Sequence, residues 1–267
     1  MQNLIDLFAA GFVFLLFASV YRKRSTAAVR FWMVGWFFIL LHFAALCCRF
    51  HSPAANLALD LCSLNALLLC GIAFVLSREE VQASVSRQVR VAGLLGGPWL
   101  GAVVFAGLPE PSLAGSAVCA ALGSLSILVL AVRVFRARRS EALCIVAVAA
   151  GCLGWLVVAV HTGNANAMVP IVLTECFGLN AVLLSFGRSR VSAATLTTSA
   201  GAIAWGLVWV SASLLEKIAP GLNVNLEVWN LPKYLVATGR ILTLLEEEIR
   251  SAALELVLPN TKPDSCR

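Results

Sequence analysis

The chain has 267 residues, 60% of them hydrophobic and only 13% charged, with a formal net charge of +6. Soluble globular domains carry roughly 25% charged residues, so this chain, with a mean hydropathy of +0.89, lacks the polar side chains to cover a water-facing surface. The positive balance is not a nucleic-acid signal, because Lys and Arg sit in short clusters between apolar runs, where they orient helices in a bilayer.

A membrane-spanning helix needs about 20 apolar residues. The first such run is Leu4 to Val20. A signal peptide has a basic start, and Met1 to Asp6 has none, while Arg22, Lys23 and Arg24 follow the run. The run therefore reads as a retained helix with its N-terminus outside. Seven more follow: Phe31 to Cys48, Asn56 to Leu76, Val91 to Leu108, Leu113 to Val132, Ala142 to Val160, Met168 to Phe186 and Leu196 to Leu215. Each is apolar on every face, which suits a lipid surrounding better than a soluble core. The fourth run is interrupted by Gly96, Gly97 and Pro98. Its Gly93, Gly97 and Gly101, spaced by four, predict a small-residue face for close helix packing.

The basic residues alternate. The first connection holds Arg22, Lys23, Arg24 and Arg30, the third Arg78, Arg87 and Arg90, the fifth Arg133, Arg136, Arg138 and Arg139, and the seventh Arg188 and Arg190. The second, fourth and sixth hold only Arg49. Positive charge is retained on the cytoplasmic side. The odd connections are therefore expected inside, in a bacterial inner (plasma) membrane or its equivalent. The even connections are too short to form a domain outside. The predicted fold is all-α: an eight-helix transmembrane bundle over residues 1–227, a C-terminal helix over 228–258, and a polar, disordered tail over 259–267.

In the C-terminal helix, Asn230 and Pro232 suit a cap and a first turn. Beyond them Leu231, Leu235, Leu242, Leu245, Ile249, Ala252 and Leu256 form a seam stepped by fours and threes, with Thr238 filling the missing place. That is a heptad pattern, suited to pairing with a second copy or a separate output protein, or to lying against the bundle or in the membrane interface. Trp229 to Leu245 is just long enough to cross as a ninth span, with Lys233 snorkelling outward. Arg240 opposes crossing: a charge at mid-membrane costs about 2.5–3.5 kcal/mol on insertion scales. Crossing would carry Glu246, Glu247 and Glu248 inside.

The stretch Val228-Trp229-Asn230-Leu231-Pro232-Lys233-Tyr234-Leu235-Val236-Ala237, followed by Ile241-Leu242-Thr243-Leu244-Leu245-Glu246, is similar to the segment that joins the multi-helix membrane region of certain bacterial signalling proteins to their output domain. In those proteins the helix leads into a diguanylate cyclase (GGDEF) or histidine kinase module. The close resemblance covers roughly 20 residues, and the remainder shares only the pattern of spans. Arg240 departs from it, since an apolar residue such as Met is expected there. No GGDEF sequence, phosphoacceptor His box or nucleotide-binding Gly box is present. The resemblance implies a free-standing sensor or a truncated relative of a longer signalling protein.

Ionisable residues inside a membrane are costly, and so mark candidate sites. Asp6, Asp60 and Glu175 lie in apolar runs, and with His42, His51 and His161 all fall toward the outer side. They predict an outward-facing polar pocket of His42, Asp60 and Glu175, with Asn65 and Asn180 deeper, able to take a small ligand, a proton or a metal ion. The alternative leaves Asp6 and Asp60 at the water interface, with His42 and Glu175 bonding across helices. No metal-ligand spacing such as H-x-x-x-H, H-E-x-x-H or C-x-x-C occurs. The nine Cys read as small apolar packing residues, and the seven Trp as interface anchors and packing. No cofactor is expected. No nucleophile elbow, P-loop or catalytic carboxylate pair appears in the connections, so nothing argues for an enzyme. The sequence favours a membrane-embedded sensory or signal-transducing module, with a structural or assembly subunit, or a small transporter, as alternatives.

Overall fold

The computed structural model describes residues 2–23, 25–78, 84–135, 138–186, 192–219 and 226–257. Among the described residues the chain forms nine α-helices: α1 (Gln2–Lys23), α2 (Ala27–Cys47), α3 (Pro53–Leu76), α4 (Val85–Ala106), α5 (Leu113–Phe135), α6 (Arg139–His161), α7 (Met168–Phe186), α8 (Ala193–Ile218) and α9 (Leu226–Val257). A 3-10 turn, Ala165–Ala167, precedes α7, and there is no strand among these residues. Eight helices, α1 to α8, are long and apolar enough to cross a membrane. The heptad helix follows as α9. The expected tail at 259–267 lies outside the described residues, as do Arg24, Arg136, Arg188 and Arg190.

Local chemistry sets several helix starts. The Thr26 side chain accepts from the Val29 N–H at 3.3 Å, and Ser52 accepts from Ala55 N–H at 3.4 Å with Pro53 in the first turn. Ser192 and Thr195 form a reciprocal capping box at the start of α8. Ser84 caps α4 through the Arg87 N–H at 3.2 Å, which is why α4 starts at Val85 rather than at the apolar run. The Gly96-Gly97-Pro98 segment does not break α4.

Consecutive helices pack on one another from α1 to α9. The centre of the bundle is α7, which contacts α3, α4, α5, α6 and α8 and is buried almost continuously from Ile171 to Leu183. The last helix also touches α1, closing a ring of α1, α2, α3, α7, α8 and α9. One end of the bundle carries Arg22, Lys23, Arg30, Arg78, Arg87, Arg90, Arg133, Arg138 and Arg139 and is called the basic end below. At this end Arg78 and Arg138 both pair with buried Glu141, at 3.0 and 3.4 Å, joining α3 to the α6 start. The opposite, N-terminal end carries Arg49 and Lys217.

Glycine lets α8 and α9 approach backbone to backbone. A Cβ at Gly201 would lie 2.8 Å from the Val236 nitrogen, and one at Gly239 would lie 2.9 Å from the Ala194 carbonyl oxygen. These two contacts fix an antiparallel register. They also place Gly239 in the first turns of α8, so that α9 leaves the bundle beyond about residue 245. The remaining helix to Val257 is about 18 Å long at 1.5 Å per residue. Two expectations bear on this packing. Arg240 is not level with the middle of the spanning helices: its guanidinium is 5.4 Å from the ring centre of Trp32, in the second turn of α2, close to the basic end. The four-spaced glycines of α4 form a contact only at one end: Gly93 and Gly97 have open space beside them, while a Cβ at Gly101 would lie 3.1 Å from Cys119 Sγ of α5. Spacing marks a thin helix face, but only the fold decides whether a neighbour covers it.

The contact predicts contrasting variants. Gly239→Leu forces α9 off α8 and is expected to cost about 1–3 kcal/mol, the usual overpacking penalty. Gly97→Ala meets nothing and should cause no loss. Unfolding midpoints in mixed micelles measure both, and equal midpoints would contradict the close approach.

Candidate functional site

The most connected polar cluster links the first helix to the last. On α9, Asn230, Lys233 and Tyr234 are three and four residues apart and so share one face. Asn230 Nδ2 donates to Asp6 Oδ2 at 2.8 Å, and the Tyr234 hydroxyl donates to Asp6 Oδ1 at 3.0 Å. Lys233 Nζ donates to Asn230 Oδ1 at 2.7 Å and lies 4.9 Å from the Phe43 ring centre. The Asn230 amide thus stands between ammonium and carboxylate, accepting from one and donating to the other. Asp6 and Lys233 are 7% and 5% exposed, so their charges are compensated inside the bundle and not by solvent. Asn230 is not the helix cap that the sequence suggested: α9 begins at Leu226, and the Asn230 side chain is committed to Asp6.

The neighbouring site joins α2 to α3. His42 Nδ1 is 2.7 Å from Ser63 Oγ and 3.1 Å from the Ser63 carbonyl oxygen. A protonated Nδ1 donates to either, and an unprotonated one accepts from the hydroxyl. Lys233 is near enough to act electrostatically on His42 and Cys70. Beneath this polar layer runs an aromatic seam. Phe17 stacks on Trp32 and Trp36, Trp32 on Phe74 at 4.2 Å, and Trp205 on Phe177 at 4.2 Å, with Phe74 edge-on to Trp205. These rings come from α1, α2, α3, α7 and α8 and fill the helix ring that α9 closes.

Glu175 occupies a separate, fully buried position on α7. Trp99 Nε1 of α4 donates to its Oε2 at 2.8 Å, and the Ser124 hydroxyl of α5 donates to its Oε1. The next residue along from that carboxylate's neighbours must be small: a Cβ at Gly123 would lie 2.7 Å from Trp99 Nε1 and 2.8 Å from Glu175 Oε2.

The five predicted pocket residues therefore stand apart. His42 bonds to Ser63. Asp60 is half-exposed in an ion pair with Arg49 at 2.9 Å, an interaction of the kind worth little. Asn65 donates to Leu61 of its own helix. Glu175 takes Trp99 and Ser124, and Asn180 donates to the Gly71 and Cys176 carbonyls at 3.0 and 2.8 Å. None of the five hydrogen-bonds to another among the described residues. The seam residues Leu231, Leu242, Leu245 and Ile249 are exposed, by 43% to 71%, while Leu235, 38% exposed, has its Cβ against Gly201 of α8; the Leu256 side chain lies outside the described residues. Sequence reasoning missed the Asn230–Lys233–Tyr234 face, although its spacing, about a third of a turn from the seam, was visible. It also missed Trp99 and Ser124, which carry no signal of their own in an apolar run.

Among the described residues no group of three or more His, Cys, Asp or Glu side chains is arranged to hold a metal ion, and the eight described cysteines are free. The buried polar groups form helix-to-helix linkages, each worth about 0.6 kcal/mol on average in membrane bundles.

Removing Glu175 is expected to cost more than that average, because a buried donor left without its acceptor carries a penalty of about 1–3 kcal/mol. Glu175→Ala orphans the Trp99 N–H and should lower the unfolding midpoint clearly. Glu175→Gln keeps an acceptor for Trp99 and should lower it less. Identical midpoints for the two variants would show that the hydrogen bonds contribute nothing measurable.

No protein-family model, no curated protein and no solved structure matches this chain.

Proposed function

We propose that the chain is a membrane-embedded sensory or signal-transducing module of a bacterial inner membrane, with its N-terminus outside and α9 as its output. The observation that carries this reading is the two-sided character of α9. One side binds the first helix through Asp6, Asn230, Lys233 and Tyr234. The other presents an unpartnered heptad seam that extends past the basic end of the bundle. A solute that competes for the Asp6 cluster would change how α9 sits on α1 and α8, and the seam would carry that change to a second copy or a separate output protein. Such a device needs two packing states with different affinities for the solute. The residues of the basic end support this orientation through the retention of positive charge on the cytoplasmic side, so that the part of α9 beyond about residue 245 would enter the cytoplasm. The exposed seam also favours a second reading, an assembly subunit that docks a partner constitutively.

Two measurements test the proposal. Paired reporter fusions after Leu258, one active only in the cytoplasm and one only outside, should give the cytoplasmic signal; the reverse pattern would remove the signalling role of α9. A C-terminal reporter that needs dimerisation should then change output in Asp6→Ala at unchanged membrane level. Output that is constant in this variant would support the assembly reading instead.

A further inference from the structure

Arg240 is the residue that departs from the sequence resemblance and that the sensory mechanism leaves unused. It is partly buried on α9, and its guanidinium rests over the Trp32 ring at 5.4 Å. Such a cation–π contact contributes about 0.5–2 kcal/mol but supplies no hydrogen-bond acceptor. Arg240 Nε is buried with no hydrogen-bond partner, and among the described residues no carboxylate forms an ion pair with this side chain. Glu246 and Glu247 begin about 9–10 Å further along the helix axis. A guanidinium has five donors in a planar fork suited to two oxygens of an oxyanion, and here the fork lacks one.

The surroundings point to the missing group. Trp32 lies in the second turn of α2, and Gly239, next to Arg240, packs against Ala194 and Thr198 in the first turns of α8. Both helices start at the basic end, so two positive helix ends face the region of Arg240. Arg22, Lys23 and Arg30 stand at the same end.

We infer that Arg240, held on the face of Trp32, is the receptor for a phosphate-type oxyanion at the basic end of the bundle. The oxyanion comes from an anionic lipid headgroup or from a free phosphate. This site is distinct from the Asp6 cluster and does not depend on the sensory reading.

The test uses the intact chain in nanodiscs of phosphatidylcholine doped with phosphatidylglycerol, with lipid retention read by native mass spectrometry. Binding of inorganic phosphate and pyrophosphate is measured in parallel. A charge-assisted hydrogen bond is worth about 1.5–3 kcal/mol, so Arg240→Gln should weaken phosphatidylglycerol retention roughly tenfold or more. Arg240→Lys, with charge but no fork, should fall between, and Trp32→Leu should weaken retention while leaving the charge in place. Arg250→Gln, exposed and outside the site, should behave as the unaltered chain. Loss confined to phosphatidylglycerol identifies the lipid as the source, and an equal loss of inorganic phosphate or pyrophosphate binding identifies a free anion. Arg240→Gln that retains lipid and phosphate like the unaltered chain overturns the inference, as does Arg250→Gln giving the same loss as Arg240→Gln.

Discussion

The linkage of Asp6 to Asn230, Lys233 and Tyr234 decides where the last helix goes. A lysine and an aspartate inside apolar helices are each expensive to hold in a low-dielectric surrounding. Brought together through an amide that bonds to both, they become a joint between the first and last elements of the chain. The joint turns the polar face of α9 inward and leaves Leu231, Leu242 and Leu245 exposed. An amphipathic helix on a water-soluble protein would do the reverse. Here the exposed part of the seam suits a bundle whose surrounding medium is apolar.

Close backbone contact follows the same logic. Between helices in lipid there is little hydrophobic gain, so packing depends on how near two backbones can come. The chain uses Gly201 and Gly239 to press α9 onto α8, and Gly206 against Gly178 to press α8 onto α7, where an added Cβ would be 3.2 Å from the Gly178 Cα. The two contacts in series tie α9 to the central helix. A displacement at the Asp6 joint therefore acts on a stacked α7–α8–α9 unit rather than on a loosely attached arm.

The number of spans was legible from hydropathy because eight runs are apolar throughout, and the face of α9 that stays free was legible because its seam repeats every seven residues. What could not be read was azimuth. On a helix that is apolar all round, His42, Asn65, Glu175 and Asn180 reveal their depth but not the direction in which they point. Sharing a depth suggested one pocket; in the fold His42, Glu175 and Asn180 bond across three different helix pairs, and Asn65 bonds within its own helix. Glu175 shows why no single-residue signal would suffice. Its partners, Trp99 and Ser124, are ordinary members of apolar runs, and the need for Gly123 beside them becomes visible only once α4, α5 and α7 are assembled. Asp60 stands near the start of α3, half-exposed, where Arg49 reaches it, which is the interface position the sequence offered as its alternative.

Arg240 completes the account of α9 because its position reverses the argument against crossing. A guanidinium at mid-membrane would oppose insertion, yet the register set by Gly201 and Gly239 carries it to the basic end, where Trp32 receives it. There the charge acts as a depth marker: sliding α9 toward the N-terminal end would draw the guanidinium off Trp32 and into the aromatic seam of Phe17, Trp36 and Phe74. Sliding it the other way would pull Asn230 and Tyr234 from Asp6 and carry Lys233 toward the same rings. The two cations, seven residues apart on one helix, thus oppose motion along the axis from both ends and leave rotation and tilt as the movements α9 can make at least cost. A seam of leucines on the outer face responds to those two movements most directly, since either one changes which side chains it presents.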